Sequence, residues 1–172
     1  MLNIYINTWG NYNENGACGG KWITLPMDES ELEEILETTA ETMGDNDPEW
    51  FVNDYEWTTD ISPRKIEELE NYFDLNAYVQ RLDDLNEWEQ KTFCAVCEVF
   101  GEIDPDDVDD YRLMEDVTTD YDLGYYWIEE SGCYDLSSMG NLSNYIDYER
   151  FGRDVRLESD GDFSSFGWVE KC

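Results

Sequence analysis

Asp28-Glu-Ser-Glu-Leu-Glu-Glu-Ile-Leu-Glu-Thr-Thr-Ala-Glu-Thr-Met-Gly44 is the stretch that decides the fold of the first part of the chain. Leu32, Ile35, Leu36 and Ala40 recur at three- and four-residue intervals, which is the apolar stripe of a helix lying on a core. Asp28 stands at the N-cap position with Glu31 three residues later, and Gly44 supplies a left-handed stop. The pattern predicts a helix between Asp28 and Gly44. Upstream, Leu2, Ile4 and Ile6 alternate with Asn3, Tyr5 and Asn7, and Trp22-Ile-Thr-Leu25 follows a glycine-rich turn at residues 16–20. Period-two alternation predicts two strands there, with a third downstream in Phe51 to Trp57. Three strands around one helix make a small α+β unit, expected to span residues 1–61.

The polar face of the same helix is as informative as its apolar stripe. Glu33, Glu37 and Glu41 fall at i, i+4 and i+8, with Glu29 and Glu34 beside them, and no lysine stands four residues away to compensate. Carboxylates at this spacing lie about 5–6 Å apart at Cβ, and each like-charge pair costs roughly 0.2–0.5 kcal/mol. Phosphates in a duplex strand recur at a comparable spacing, so such a face can stand in for a nucleic-acid backbone.

The bias extends over the whole chain. Forty-three acidic residues against ten basic ones give a formal net charge of -33 in 172 residues, with no histidine. Aromatic residues make up 15% and apolar residues 41%, more than a disordered acidic segment carries, so the chain is read as a folded polyanion. Self-repulsion on that scale opposes compaction, and a partner or an environment must favour it. Nucleic acid and anionic membrane surfaces would repel the chain, whereas basic proteins would attract it. Duplex DNA carries one charge per roughly 1.7 Å, so 33 charges correspond to roughly 56 Å of duplex. A compact chain of this length is only about 40 Å across, so an elongated body or a dimer fits a DNA-like track better.

Beyond residue 61, Ser62-Pro63 reads as a cap and first helical position opening a helical stretch to Gly101. Ile66 and Leu69, then Val79, Leu82 and Leu85, mark two short helices, and Asn86 with Glu89 starts a third whose inward residues would be Trp88, Ala95, Val96 and Val99. Asp104-Pro105 opens a further helix through Asp106, Asp107, Asp109 and Asp110. The remainder reads as helical at Leu123 to Glu130 and Ser143 to Phe151, and extended at Val155 to Leu157 and Phe163 to Val169. The expected fold class is α+β, an elongated chain of three small domains: residues 1–61 mixed, 62–103 helical and 104–172 mixed. Charge divides unevenly among them, with fourteen acids against one base in the first, ten against four in the second and nineteen against five in the third.

The lack of histidine removes Ser-His-Asp and Cys-His catalysis and every His-containing zinc site. Paired carboxylates carry no specificity in a chain this acidic. Cys94-Ala-Val-Cys97 has a redox spacing but lies in a predicted amphipathic helix with no second pair, and reads as structural thiols. Asp104 to Glu115 has the length of an EF-hand loop, yet Val108 and Asp109 occupy its fifth and sixth positions, where a ligand and a glycine are needed. No catalytic residue, cofactor or metal is expected. Five scattered cysteines argue against a disulfide framework, and neither a basic leader nor a run of membrane-spanning length occurs, so the expected location is cytoplasmic.

Four segments carry a resemblance. Asn11-Tyr-Asn-Glu-Asn-Gly16, Gly19-Gly-Lys-Trp-Ile-Thr-Leu-Pro-Met-Asp28, Asp54-Tyr-Glu-Trp57 and Asn144-Tyr-Ile-Asp-Tyr-Glu-Arg-Phe-Gly-Arg-Asp154 resemble the ArdA family of antirestriction proteins carried by mobile genetic elements. The resemblance implies a bacterial DNA mimic that dimerises, occupies the DNA-binding groove of Type I restriction-modification enzymes, and blocks cleavage and often methylation. On that basis the mimic surface is expected at Glu29, Glu33, Glu34, Glu37, Glu41, Asp45, Asp47, Asp106, Asp107, Asp109, Asp110, Glu115, Asp116, Asp120 and Asp122. The family's antirestriction segment, near the dimer contact, would fall at Leu123, Tyr125, Tyr126, Trp127, Ile128, Glu129 and Glu130. Arg153 beside Asp147 or Glu149 is read as holding the fold. Charge alone leaves two other classes open: an acidic inhibitor of another basic DNA-binding protein, such as an anti-CRISPR or nuclease-immunity protein, and an ordinary protein of a high-salt organism.

Overall fold

The computed structural model describes residues 1–58 and 63–172, and Ser62, the expected helix cap, lies outside them. The architecture is α+β, with small antiparallel sheets and helices that fall into two compact units, Met1–Asn86 and Glu87–Cys172. By sequence the first unit holds twenty acids and four bases and the second twenty-three and six, so the charge is shared almost equally.

In the first unit β1 (Leu2–Thr8) pairs antiparallel with β2 (Lys21–Leu25) on one side and β3 (Trp50–Trp57) on the other. The alternating apolar residues do as predicted: Leu2, Ile4, Ile6, Ile23, Leu25 and Val52 are buried in one cluster with Leu32 of α2 (Glu29–Met43) and Leu75 and Val79 of α3 (Tyr72–Asp84). Gly44 ends α2 with φ 70°, and Asp28 is its N-cap residue, although the Asp28 side chain makes no capping hydrogen bond.

No sequence period marks α1 (Trp9–Asn15), which is short, polar and interrupted by Gly10. Tertiary contacts supply what propensity lacks. Thr8 caps it by accepting from the Asn11 N–H at 3.1 Å, the buried Asn11 amide donates to Asn7 Oδ1 at 2.7 Å, and Trp9 stacks on Phe51 at 4.2 Å between centroids. The expected helix around Ile66 and Leu69 is absent. That segment is irregular, with a bend at Arg64 and a turn at Glu68 and Leu69, and is held against β3, where the Val52 N–H donates to the Glu68 carbonyl at 2.8 Å and Trp57 Nε1 to the Arg64 carbonyl at 3.1 Å. Ile66 is buried while Leu69 is 74% exposed, so the two do not share a helical stripe.

In the second unit α4 (Glu87–Phe100) buries Ala95 and Val96 against Leu113 of β4 (Tyr111–Met114) and Val169 of β6 (Gly167–Lys171). Trp88, expected inward, is 47% exposed; Phe93 and Cys94 take the buried face instead. Burial pushes the Cys94 thiol up to about 11 and also raises Cys97, so both stay protonated at neutral pH. β6 lies between β4 and β5 (Gly161–Ser164). Val155 to Leu157 belong to α6 (Tyr148–Glu158) and are not extended, because Val155 packs at helical spacing against the cluster of Val117, Leu123 and Trp168. The helix expected over Ser143 to Phe151 is divided: a 3-10 turn spans Gly140–Tyr145, and Asp147 then caps α6 by accepting from the Arg150 N–H at 3.0 Å.

The tightest contact in this unit joins α5 (Asp120–Tyr125) to α6. A Cβ at Gly124 would lie 1.9 Å from the Tyr148 carbonyl oxygen, and one at Gly152 would lie 1.8 Å from that of Asp120. The two helices therefore cross backbone on backbone, which only glycine permits. That crossing gives Gly152, inside the Asn144 to Asp154 string, a structural role.

Candidate acidic interface

Burial of Leu32 and Ala40 fixes the rotation of α2, and the glutamates follow from it. Glu29, Glu33, Glu34, Glu37 and Glu41 are all exposed, as is Glu31, the expected capping partner of Asp28. None of these six forms a salt bridge among the described residues. The threonines between them are turned back on the helix, Thr38 donating to the Glu34 carbonyl and Thr42 to the Thr38 carbonyl, each at 2.8 Å. The result is a rigid ladder of carboxylates over four turns of helix, with no cation interleaved.

Beyond Gly44 the two predicted aspartates part company. Asp47 is exposed, whereas Asp45 is half-buried and structural: its Oδ2 accepts from Thr8 Oγ1 at 2.8 Å, and its Oδ1 accepts from the Asp47 N–H at 3.3 Å. Gly10 leaves room for it, since a Cβ there would sit 2.6 Å from Asp45 Oδ2.

The second acidic cluster lies on a 3-10 helix, Pro105–Asp110, where an α-helix is expected. Asp104 caps it by accepting from the Asp106 N–H at 3.0 Å, and Pro105 and Val108 are buried. Asp106, Asp107, Asp109 and Asp110 consequently face solvent, as does Asp116. The remaining predicted acids are tied into the fold. Glu115 pairs with Lys91 at 3.2 Å, and Asp120 pairs with Arg156 at 2.9 Å. Asp122 closes the start of α5: its carboxylate accepts from Thr119 Oγ1 at 2.7 Å and from the Thr118 N–H and Oγ1 at 3.2 Å, and these bonds hold its pKa below the usual carboxylate range. Arg153 is exposed and forms no ion pair among the described residues; Arg156, which also lies 3.7 Å from Asp162, takes the role expected of it.

The segment from Leu123 to Glu130 is half core and half surface. Leu123 and Ile128 are buried, and Tyr126 and Trp127 pack against the cluster around Trp168. Tyr125 is exposed and joins Tyr121 and Tyr148 in a ring cluster with centroids 5.4–6.4 Å apart. Glu129 and Glu130 are exposed, and Tyr148 donates its hydroxyl to Glu129, which pushes the phenol up to about 12. Further along the chain Tyr134, Leu142 and Tyr145 are also exposed.

The ArdA antirestriction protein family model matches residues 4–170 of the 172-residue chain. The chain belongs to that family. Its general function is thus antirestriction, directed against restriction-modification enzymes. No curated protein matches the chain. The ArdA match spans both compact units and includes both acidic clusters and the aromatic segment. No helix among the described residues is long and apolar enough to cross a membrane. Two further exposed acids, Asp54 and Glu56 on β3, went unnoticed as surface groups, although their alternation with Tyr55 and Trp57 was legible.

Proposed function

We propose that this protein inhibits a Type I restriction-modification enzyme by mimicking DNA, presenting its exposed carboxylates to the basic groove that otherwise holds duplex phosphates. The observation that carries this reading is the unpaired carboxylate ladder of α2, held by Leu32 and Ala40 on a rigid helix and supported by the Asp106 to Asp110 cluster. Carboxylates fixed about 5–6 Å apart can replace consecutive phosphates without reorganising, so the entropy of ordering them is already met in the free protein. Cleavage is blocked because the groove is occupied; methylation is blocked by the same occupancy wherever the two activities share that groove.

The protein acts as a homodimer in this reading. A contact between two strongly negative bodies needs an uncharged patch, and the exposed Tyr121, Tyr125, Tyr134, Leu142 and Tyr145 supply one in the second unit. Light scattering across micromolar concentrations and salt levels tests the dimer; a monomer throughout would exclude it. Gel-shift competition tests mimicry. The protein should displace duplex DNA from a purified Type I enzyme, more weakly as salt rises, and should not shift DNA by itself. Undiminished enzyme–DNA binding at saturating protein, across several Type I families, would overturn it.

A further inference from the structure

The first sheet has a second face. A bulge between Tyr5 and Ile6 changes the register with β3, so that beyond it Asp54 and Glu56 point away from the core while Tyr55 and Trp57 pack into it. On that outer face the pairings align two rows: Trp22, Tyr5 and Asp54, then Thr24, Asn3 and Glu56. Near α1 the sheet is covered by the stacked Trp9 and Phe51, but past the bulge it is open. Trp22 is 50% exposed at the edge of the face, with one side of its indole open to solvent.

The aromatic half of this face is fixed in place. Tyr5 donates its hydroxyl to the Ala17 carbonyl at 2.8 Å and lies with its ring centroid 5.3 Å from that of Trp22. Gly20 makes room for the ring, since a Cβ there would sit 2.7 Å from two of its atoms. Asn3 and Thr24 satisfy each other at 2.8 Å and leave the centre of the face neutral. At the opposite edge Asp54 and Glu56, two residues apart on one strand, are separated by about 6.8 Å. Trp22 therefore stands about 10 Å, two strand spacings, from the strand that carries this pair of carboxylates, with Tyr5 between them.

We infer that this open sheet face is a docking surface for arginine side chains of a basic protein, each guanidinium stacking on Trp22 and Tyr5 while its neighbours meet Asp54 and Glu56. Charge complementarity commits the occupant: the unit carries twenty acids against four bases, and a planar, weakly hydrated guanidinium both stacks on aromatic rings and bonds carboxylates, whereas lysine does only the second well. Nucleic acid offers stackable bases too, but its phosphates would be repelled. The inference deepens the mimicry reading and, as far as the enzyme is concerned, rests on it. The enzyme would be gripped by a stacking platform as well as by the phosphate-like ladder of α2.

Two measurements separate the inference from the reading it rests on. In ¹H–¹⁵N spectra of the intact protein, octa-arginine should shift the Trp22 indole N–H and the Asp54 and Glu56 amides at concentrations where octa-lysine shifts mainly acidic surfaces such as α2. Equal shifts with both peptides, or none at Trp22, would overturn the platform whatever the enzyme does. In gel-shift competition, Trp22→Ala should lose about five-fold in affinity for the Type I enzyme, the size of one exposed cation–π contact, with the charge unchanged. Trp22→Phe should recover part of that loss. Wild-type competition with Trp22→Ala unimpaired would discard the platform and keep mimicry; no wild-type competition would discard mimicry, leaving the peptide titration to decide the platform alone.

Discussion

The α2 helix and the junction of α5 with α6 use their acids in opposite ways. On α2 six glutamates project into solvent, and none has an ion-pair partner among the described residues. Where α5 meets α6 three carboxylates are structural: Asp120 with Arg156, Asp122 on Thr118 and Thr119, Asp147 at the start of α6. The difference teaches that net charge does not identify a mimic surface. What identifies it is a carboxylate whose removal costs the fold nothing.

The comparison breaks most sharply at the helix crossing. Gly152→Ala places a methyl carbon where the Asp120 carbonyl oxygen lies, a clash no rotamer relieves. The expected loss exceeds the about 1–3 kcal/mol of ordinary overpacking, and urea unfolding should show the variant severely destabilised or unfolded. Next in size is Arg156→Met, which leaves the partly buried Asp120 without its cation and should cost about 1–3 kcal/mol. A neutral result would mean that the acids of this unit are as dispensable as those of α2.

On α2 the sign should invert. Replacing Glu29, Glu33, Glu34, Glu37 and Glu41 together by Gln removes several like-charge neighbours at roughly 0.2–0.5 kcal/mol each, so the variant should be more stable than wild type at low salt by about 1 kcal/mol. Added salt should shrink the difference by screening it. The same variant should inhibit much less well, while Glu33→Gln alone should be nearly silent, since the contacts are many and individually small. Lower stability of the quintuple variant would assign α2 a structural role.

Strands β1 to β3 and the core face of α2 were legible because their apolar residues follow one period, and Gly44 marks a left-handed stop that local chemistry alone demands. The glutamate face followed from the same rotation. Elements held by distant partners were not legible. α1 depends on Asn7 and Phe51, the 63–71 segment on the backbone of β3, and the run through Val155 on Trp168. The structural roles of Asp45, Asp120 and Asp122 are hidden for the same reason: in sequence they look like Glu33, and only the positions of Thr8, Arg156 and Thr119 distinguish them.

The smallest effect sharpens the comparison by pH. Asp122 accepts from Thr119 and Thr118 at the N-terminus of α5, where the helix dipole also favours negative charge, and its folded pKa lies below its unfolded value near 3.9. A lowered folded pKa means that the unfolded chain binds the proton first as pH falls. The stabilisation is therefore complete above about pH 5 and is lost on descending through 3.9 toward the folded value. Asp122→Asn retains the shape and removes the titration, so it should cost about 0.5–1 kcal/mol at pH 7 and draw closer to wild type as pH falls below about 3.9. Asp116→Asn, a neutralisation at an exposed position, should show no such convergence. Urea midpoints of both variants at pH 7, 5 and 3 decide it. Parallel curves for Asp122→Asn and wild type would show that this carboxylate, like those of α2, contributes nothing to the fold.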